Sequence, residues 1–393
     1  MKALLPFSKY HGLGNDFVLL DARELARDAS LLCLLDCWPL VAARLCDRNF
    51  GVGADGVILC IPLPLRGGDM LLRAPLKQAV MKPQKRGTGD YPVRHDRDEP
   101  ERFQAPTAWK DYELAMEKLT GSYPERDQCE LAWLYTNGDG SPAAMCGNGL
   151  RCLAAWAKDN LCMAEDTGFK IATARGPVAA AFDDSLIEVD IGKPVLDAAS
   201  IPVSVPASAP GVGSDLVVGV TLAAGGREYK VTAVGMGNPH CVIFGPDYLN
   251  EYLKGCEAPE PGRAAEFFPE SLKEAARAIQ AHEMFPESVN VEFVRVTSRQ
   301  SVDVLVYERG CGPTLACASG AAAVVVAGVL GDVLDRRVSV RLPGGELTVG
   351  YSADDEHVRI KGAACEVFSG VVRLDLGGLV ANGQHSATEV PLS

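Results

Sequence analysis

The stretches Met145-Cys146-Gly147-Asn148-Gly149-Leu150-Arg151-Cys152 and Ala316-Cys317-Ala318-Ser319-Gly320 hold the residue types most able to do chemistry in this 393-residue chain. Each follows a β-rich, turn-rich approach. Each opens a run of small residues that reads as a helix, Leu153 to Ala157 and Ala321 to Leu330. A cysteine at a helix start lies in the positive end of the helix dipole. Free N–H groups there favour a thiolate and can also hold an anion. Because the arrangement occurs twice, it predicts two thiols facing one substrate from opposite sides.

Other readings of these residues are weaker. Cys146 and Cys152 are separated by five residues, and Cys311 and Cys317 repeat that spacing. Structural zinc sites favour two to four intervening residues, and a helix opening at Cys146 would point Cys152 away from it. No metal site is expected. Plain core packing of both cysteines is disfavoured by the neighbouring glycines and by polar Asn148 and Ser319, which suit close approach of a ligand. Gly51-Val52-Gly53-Ala54-Asp55-Gly56 matches a dinucleotide fingerprint in form only, because its glycines precede a strand instead of following one. His240 has the ordinary reading of a strand-end histidine, and Glu308-Arg309 that of a surface ion pair. With Asn15, Asn137 and Asn290, all at strand ends or in turns, these groups would suit a polar amino-acid ligand.

The surrounding sequence supplies elements to position them. Phe17 to Leu20, Val57 to Cys60 and Leu131 to Tyr135 read as strands, and Leu25 to Leu45 as a helical stretch. Ile171 to Ile191 alternates as strand. In the second half Val217 to Val220, Tyr229 to Val234, Cys241 to Phe244, Val291 to Val296 and Val302 to Tyr307 read as strands, as do Val338 to Leu342 and Val358 to Ile360. Leu272 to His282 reads as a helix with Ser271 and Glu274 spaced as a capping box. Each half delivers a strand into a Gly-rich turn, then a cysteine, then a helix, which predicts two pseudo-symmetric α/β domains meeting at the cysteines. The texture changes from about Pro62 to Gln128, a Pro-, Lys- and Arg-rich segment that reads as an insertion with one helix over Ala108 to Leu119.

Bulk composition narrows the class. A net charge of −13 argues against non-specific nucleic-acid binding, and no apolar stretch is long enough to span a bilayer. Met1 to Leu5 runs at once into a Gly-rich motif, which leaves no room for a leader, so the thirteen cysteines are expected to be reduced thiols in a cytoplasmic protein.

At these motifs the chain resembles the diaminopimelate epimerase family. His11-Gly12-Leu13-Gly14-Asn15-Asp16-Phe17 looks like that family's opening motif. Asn137-Gly138-Asp139-Gly140-Ser141 leading to Cys146-Gly147-Asn148-Gly149 resembles its first catalytic block. Met236-Gly237-Asn238-Pro239-His240, Ser288-Val289-Asn290, Tyr307-Glu308-Arg309-Gly310 with Ala316-Cys317, and Leu342-Pro343-Gly344-Gly345 resemble the later ones. The blocks run in family order over nearly the whole chain outside residues 62–128 and the last fifteen or so.

The resemblance implies an α+β fold of two pseudo-symmetric domains, each a barrel-like mixed or antiparallel sheet around a central helix, with the active site in the cleft between them. The domains are expected at 1–192 and 193–361, with 362–376 returning to the first and 377–393 a flexible tail. It implies an isomerase of lysine and peptidoglycan-precursor biosynthesis that needs no cofactor and inverts one α-carbon of diaminopimelate. Cys146 and Cys317 would be the acid/base pair, assisted by His240 and Glu308. Asn15, Asn137, Asn238, Asn290, Glu308 and Arg309 would bind substrate, and Gly147, Asn148, Ala318 and Ser319 would hold its reacting carboxylate by their N–H groups. The expected partner is this small molecule, with no nucleic acid or membrane, and homodimerisation is left open. No lysine sits in a recognisable pyridoxal setting, so a carbanion would have to be stabilised by the helix starts. Two positions depart from the family pattern: Ala318 stands where glycine is frequent and Gly56 where glutamine is frequent. The rivals are an epimerase of another amino acid and a non-catalytic binding protein that keeps the fold.

Overall fold

The computed structural model describes residues 2–25, 31, 33–63, 116–143, 145–161, 163, 168–204, 216–245 and 268–375. Most of the expected insertion and of its helix over Ala108 to Leu119, part of the expected Leu25 to Leu45 helix, and the tail from 377 lie outside the described residues. The first half contributes β1 (Lys2–Gly12), β2 (Asn15–Asp21), β3 (Gly56–Pro62), β4 (Leu131–Asn137), β5 (Phe169–Thr173), β6 (Gly176–Asp183) and β7 (Leu186–Asp190). The second contributes β8 (Val220–Ala224), β9 (Arg227–Gly235), β10 (Pro239–Phe244), β11 (Asn290–Ser298), β12 (Ser301–Glu308), β13 (Gly312–Thr314), β14 (Arg337–Leu342), β15 (Gly345–Tyr351) and β16 (Val358–Gly362). A last strand, β17 (Cys365–Asp375), returns to pair antiparallel with β1. The helices are α1 (Ala22–Leu25), α2 (Trp38–Cys46), α3 (Gly147–Leu161), α4 (Glu270–Gln280) and α5 (Ala318–Leu330).

The same pairing order is run twice. In the first half β1–β2 is antiparallel, β2–β3 parallel, β3–β4 antiparallel, β4–β5 parallel, and β5–β6–β7 antiparallel. In the second, β9–β10, β10–β11, β11–β12, β12–β14 and β14–β15–β16 repeat that series. Parallel neighbours need a long crossover, and a helix sits at every one: α2 and α3 in the first half, α4 and α5 in the second. The antiparallel pair β7–β16 joins the halves into one continuous sheet.

The helices that follow the cysteines are central. From Gly147 to Ala157 every residue of α3 is buried, and so is α5 from Gly320 to Gly328. α5 is apolar on all sides and has to be enclosed, and the sheet encloses it together with α3 in one core containing Trp133, Leu153, Val324 and Val349. Neither helix can shift without opening that core, so the residues at their first turns are held rigidly. No described helix is long and apolar enough to cross a membrane.

Several local expectations are corrected. Val217 to Gly219 is not strand, because Gly219 takes φ +63° and β8 starts only at Val220. The capping box fails: α4 begins at Glu270 with Pro269 before it, which puts Ser271 inside the first turn, and no side chain caps it. β15 and β17 were not legible as strands; β17 carries outward apolar residues that blur its alternation.

Candidate active site

The register of the repeated pairings places the site residues at matching points. Phe17 pairs Gly56 where His240 pairs Asn290, and Val57 pairs Thr136 where Val291 pairs Tyr307. Asn15 therefore corresponds to Asn238, Asn137 to Glu308, and Cys146 to Cys317, each pair at the same end of its half. Between them lies a cleft of about 1150 Å³. It is lined by both cysteines, by Asn15, Asn137, Asn238 and Asn290, by Glu308 and Arg309, and by Gly147, Asn148, Ala318 and Ser319.

Each sulfur closes the first turn of its own helix. Cys146 Sγ accepts from Gly149 N at 3.4 Å and Cys317 Sγ from Gly320 N at 3.3 Å. Leu150 and Ala321 donate to the carbonyls of Cys146 and Cys317. A helix start leaves its leading N–H groups without intrahelical acceptors. Here those belong to Gly147, Asn148, Ala318 and Ser319, residues that line the cleft. The two starts abut: a Cβ on Gly147 would lie 2.8 Å from the Ala318 Cβ, and Asn148 Nδ2 donates to Ala316 O at 3.1 Å.

Burial and neighbouring charge make both thiols reluctant to ionise. Burial, with the Glu308 carboxylate behind it, pushes Cys146 up to about 11, against the N–H groups of Gly149 and Asn148. Burial, Glu308 and then Glu292 drive Cys317 well above the ordinary thiol range, against Ser319 and Gly320. A thiolate formed here is a strong base, as abstraction of a weakly acidic carbon-bound proton requires. Burial also raises the Glu308 carboxyl, although Thr314 Oγ1 donates to it at 2.6 Å.

Two groups in the cleft lack a protein partner. Asn15 Oδ1 and Asn290 Nδ2 are buried without hydrogen bonds, one an acceptor from the first half and the other a donor from the second. Buried polar atoms left so are costly, which marks them as places for a polar ligand. Asn290 Oδ1 is used internally, accepting from Arg309 N at 2.7 Å, and Asn137 Nδ2 donates to Ser141 Oγ at 3.0 Å. Arg309 Nη1 donates to Glu287 O at 2.8 Å, which holds the guanidinium at the rim.

His240 is placed differently from the other sequence candidates. It is fully buried and does not line the cleft. Its Nδ1 is bonded to Glu292 Oε1 at 2.6 Å and its Nε2 to Asn238 Oδ1 at 2.8 Å. The ring thus orients Asn238 from behind; Glu292 is the carboxylate it is bonded to, and the ring also acts on Glu308 through space. Sequence reasoning missed Glu292, Tyr135 and Arg151. Tyr135 makes a side-chain hydrogen bond with Cys146, and burial holds its hydroxyl protonated well above the usual range. It also missed Asp55 and Arg48 at the cleft wall, where Arg48 bridges Asp16 at 2.9 Å and Asp55 at 2.7 Å. Among the described residues no lysine lines the cleft and no group of three or more His, Cys, Asp or Glu could hold a metal ion.

A family model described as diaminopimelate epimerase matches residues 232–365. The chloroplastic diaminopimelate epimerase of Oryza sativa subsp. japonica is 34% identical over 367 residues, 93% of this chain and 79% of its own length. The diaminopimelate epimerase of Synechococcus elongatus is 34% identical over 371 residues, 94% of this chain and 99% of its own. Among solved structures, a hydroxyproline epimerase from Agrobacterium vitis superposes with a TM-score of 0.53 at 14% identity, covering 96% of this chain and 94% of that one. A methylitaconate-delta-isomerase does so with a TM-score of 0.50 at 12% identity, covering 99% of each. The structural likenesses establish the two-domain fold. The sequence relatives go further: this chain belongs to the diaminopimelate epimerase family.

Proposed function

We propose that this protein is an isomerase that interconverts LL- and meso-2,6-diaminopimelate by moving one proton at the α-carbon, a step in making lysine and peptidoglycan precursor. The observation that carries the reading is the pair of abutting helix starts, each with a sulfur at its head and both lining one cleft. The reacting carboxylate sits on the N–H groups of Gly147, Asn148, Ala318 and Ser319. Those preorganised donors take up the charge that develops when the α-proton leaves. One sulfur, as thiolate, takes that proton and becomes a thiol. The opposite thiol gives its proton to the other face of the carbanion and becomes a thiolate. No electrons are exchanged with a cofactor, and no lysine is among the described residues that line the cleft. Arg309 at the rim takes the distal carboxylate in a forked pair. Glu308 and the asparagines take the distal ammonium. His240 assists by fixing Asn238 and Glu292.

The test is deuterium uptake. Reduced protein in heavy water should incorporate deuterium at the α-carbon of both LL and meso substrate, and Cys146→Ala or Cys317→Ala should each abolish epimerisation. Exchange with a different amino acid and none with diaminopimelate would overturn the substrate assignment.

Two further readings belong to this proposal. β17 pairs only with β1 among the described residues, and Leu4, Val367, Phe368 and Val371 are exposed on that pair. An apolar edge of this kind supports a homodimer, which light scattering of the purified protein would detect. Ten cysteines are free among the described residues, which supports a reducing compartment such as the cytoplasm. The rice relatives are chloroplastic, so cell fractionation decides between the two.

A further inference from the structure

The two cysteine-bearing helices occupy equivalent places, and the register identifies what lies beneath each. Leu19 pairs Ile58 where Val242 pairs Glu292, so Ile58 in the first half stands where Glu292 stands in the second. The glycines that donate to the sulfurs bear this out. A Cβ on Gly149 would meet Ile58 Cδ1 at 3.2 Å, and one on Gly320 would meet Glu292 Oε1 at 2.8 Å. The first turn after Cys317 thus rests on a buried carboxylate, and that after Cys146 on an aliphatic chain.

Five residues beyond each cysteine the contrast reverses in sign, with Arg151 in the first helix and Ala322 in the second. Arg151 is fully buried. Its Nη1 donates to Gly147 O at 3.2 Å and its Nη2 to Asn148 Oδ1 at 2.6 Å, both neutral acceptors. Its Nε has no partner, and no described carboxylate pairs with it. Two glycines make room for it: a Cβ on Gly12 would lie 3.1 Å from Nη2, and one on Gly362 3.5 Å from Nε. A buried cation without a counter-ion is expensive. Held just beneath an active-site helix start, it implies that an anion is supplied there during function.

The charged and titratable neighbours of each thiol differ in this respect, and in Tyr135, which hydrogen-bonds with Cys146. Glu308 and Tyr135 face Cys146 from β12 and β4, and Arg151 faces it from its own helix. Glu308 and Glu292 face Cys317 from β12 and β11, beside the Ser319 hydroxyl. Arg151 also faces Cys152, which in turn faces Cys365 and Asp16. Glu308 acts in the same direction on both thiols, so the contrast in charge falls to Arg151 and Glu292. Glu292 is bonded to His240 through one oxygen, and its other oxygen is buried without a partner.

We propose that the thiols are poised unequally: when one proton is shared between them, Arg151 keeps the negative charge on Cys146 and Glu292 keeps the proton on Cys317. This rests on the two-thiol reading above and assigns the direction that reading leaves open. Arg151 is a positioning residue, acting through the helix start it braces. The isomer whose α-hydrogen faces Cys146 meets the enzyme in its ready form. The other isomer meets it only after the two sulfurs have exchanged roles.

Iodoacetamide labelling of the intact reduced protein, with each labelled cysteine identified by peptide mass, tests this without any substrate. Access scales the plateau of a labelling curve, whereas the pH midpoint reports ionisation. The Cys146 midpoint should lie at least one pH unit below that of Cys317, a difference of about tenfold in ionisation. Arg151→Met should raise the Cys146 midpoint by about a unit and leave Cys317 in place. Arg151→Lys, which keeps the charge, should stay closer to wild type, and Glu292→Gln should lower the Cys317 midpoint. Equal or inverted midpoints in the wild-type protein overturn the proposal, with no variant needed to fold. A folded Arg151→Met with an unmoved midpoint overturns it as well. Failure of deuterium uptake from diaminopimelate would remove the substrate and leave these midpoints to be judged on their own.

Discussion

Gly147 and Ala318 meet where the two central helices begin, and the space between them holds one methyl group but not two: a Cβ on Gly147 would come within 2.8 Å of the Ala318 Cβ. Ala318 therefore uses room that the first helix leaves free. Its side chain packs against the partner helix start, and its N–H remains in the cleft wall.

Gly147→Ala should push the helix starts apart and displace the donors for the reacting carboxylate. A misplacement of about 1 Å can cost ~100-fold in rate, and we expect a fall of that order in kcat/KM by deuterium exchange. Ala318→Gly added to Gly147→Ala should restore about tenfold or more, because the methyl then sits on the other side of the same gap. A double variant as slow as the single one would show that this contact is not the cause.

How much of this was readable beforehand follows from where each residue's role arises. Cys146, Cys317, Asn15 and Asn238 sit in contiguous turn-and-helix motifs, so type and spacing expose them. Glu292 and Arg151 do not. Glu292 lies in Asn290-Val291-Glu292-Phe293, which reads as a strand with one solvent face, yet both faces of β11 are buried there. Arg151 reads as a surface residue on a helix that the sheet then encloses. Their surroundings depend on strand register and on the second half of the chain, which no local pattern carries. The repeated fold was legible in motif order, while β15 and β17, which complete the sheet, were not.

Glu308 adds negative charge beside both thiols and thereby opposes their ionisation. Glu308→Gln removes that charge, so the proton is held less tightly and each labelling midpoint should move to lower pH. At a fixed pH of about 8 the iodoacetamide rate at Cys146 should rise several-fold, up to ~10-fold for a one-unit change. Epimerisation should fall over the same range, since the variant loses a contact to the distal ammonium. Unchanged or slower labelling would place the carboxylate too far from the sulfurs to matter.

Gly56 is required by Tyr135. A Cβ at position 56 would lie 2.7 Å from the Tyr135 ring and 2.8 Å from the Thr136 carbonyl oxygen, and the ring cannot retreat because it stacks on Trp133 at 5.3 Å. The missing side chain at 56 and the tyrosine at 135 are thus two parts of one arrangement, with the hydroxyl delivered to Cys146. Gly56→Ala should destabilise the protein by about 1–3 kcal/mol through overpacking. Tyr135→Phe keeps the packing, so it should leave the unfolding midpoint nearly unchanged while slowing exchange. If Gly56→Ala is as stable as wild type, the ring is free to move and the arrangement is not fixed.

The His240–Glu292 pair has no exposure on either side, so its loss cannot be made good by water. Glu292→Ala would leave a His240 nitrogen buried without the partner it holds at 2.6 Å, and would open a void beneath Gly320. Stranding one member of such a pair costs about 3 kcal/mol. Glu292→Gln should cost much less, because an amide oxygen can still accept from the ring. Thermal unfolding of the two variants should therefore rank Ala well below Gln, with Gln near wild type. Equal midpoints for the two would mean that the pair is not what orders this region. The support of Asn238 would then have to come from the β9–β10 turn alone.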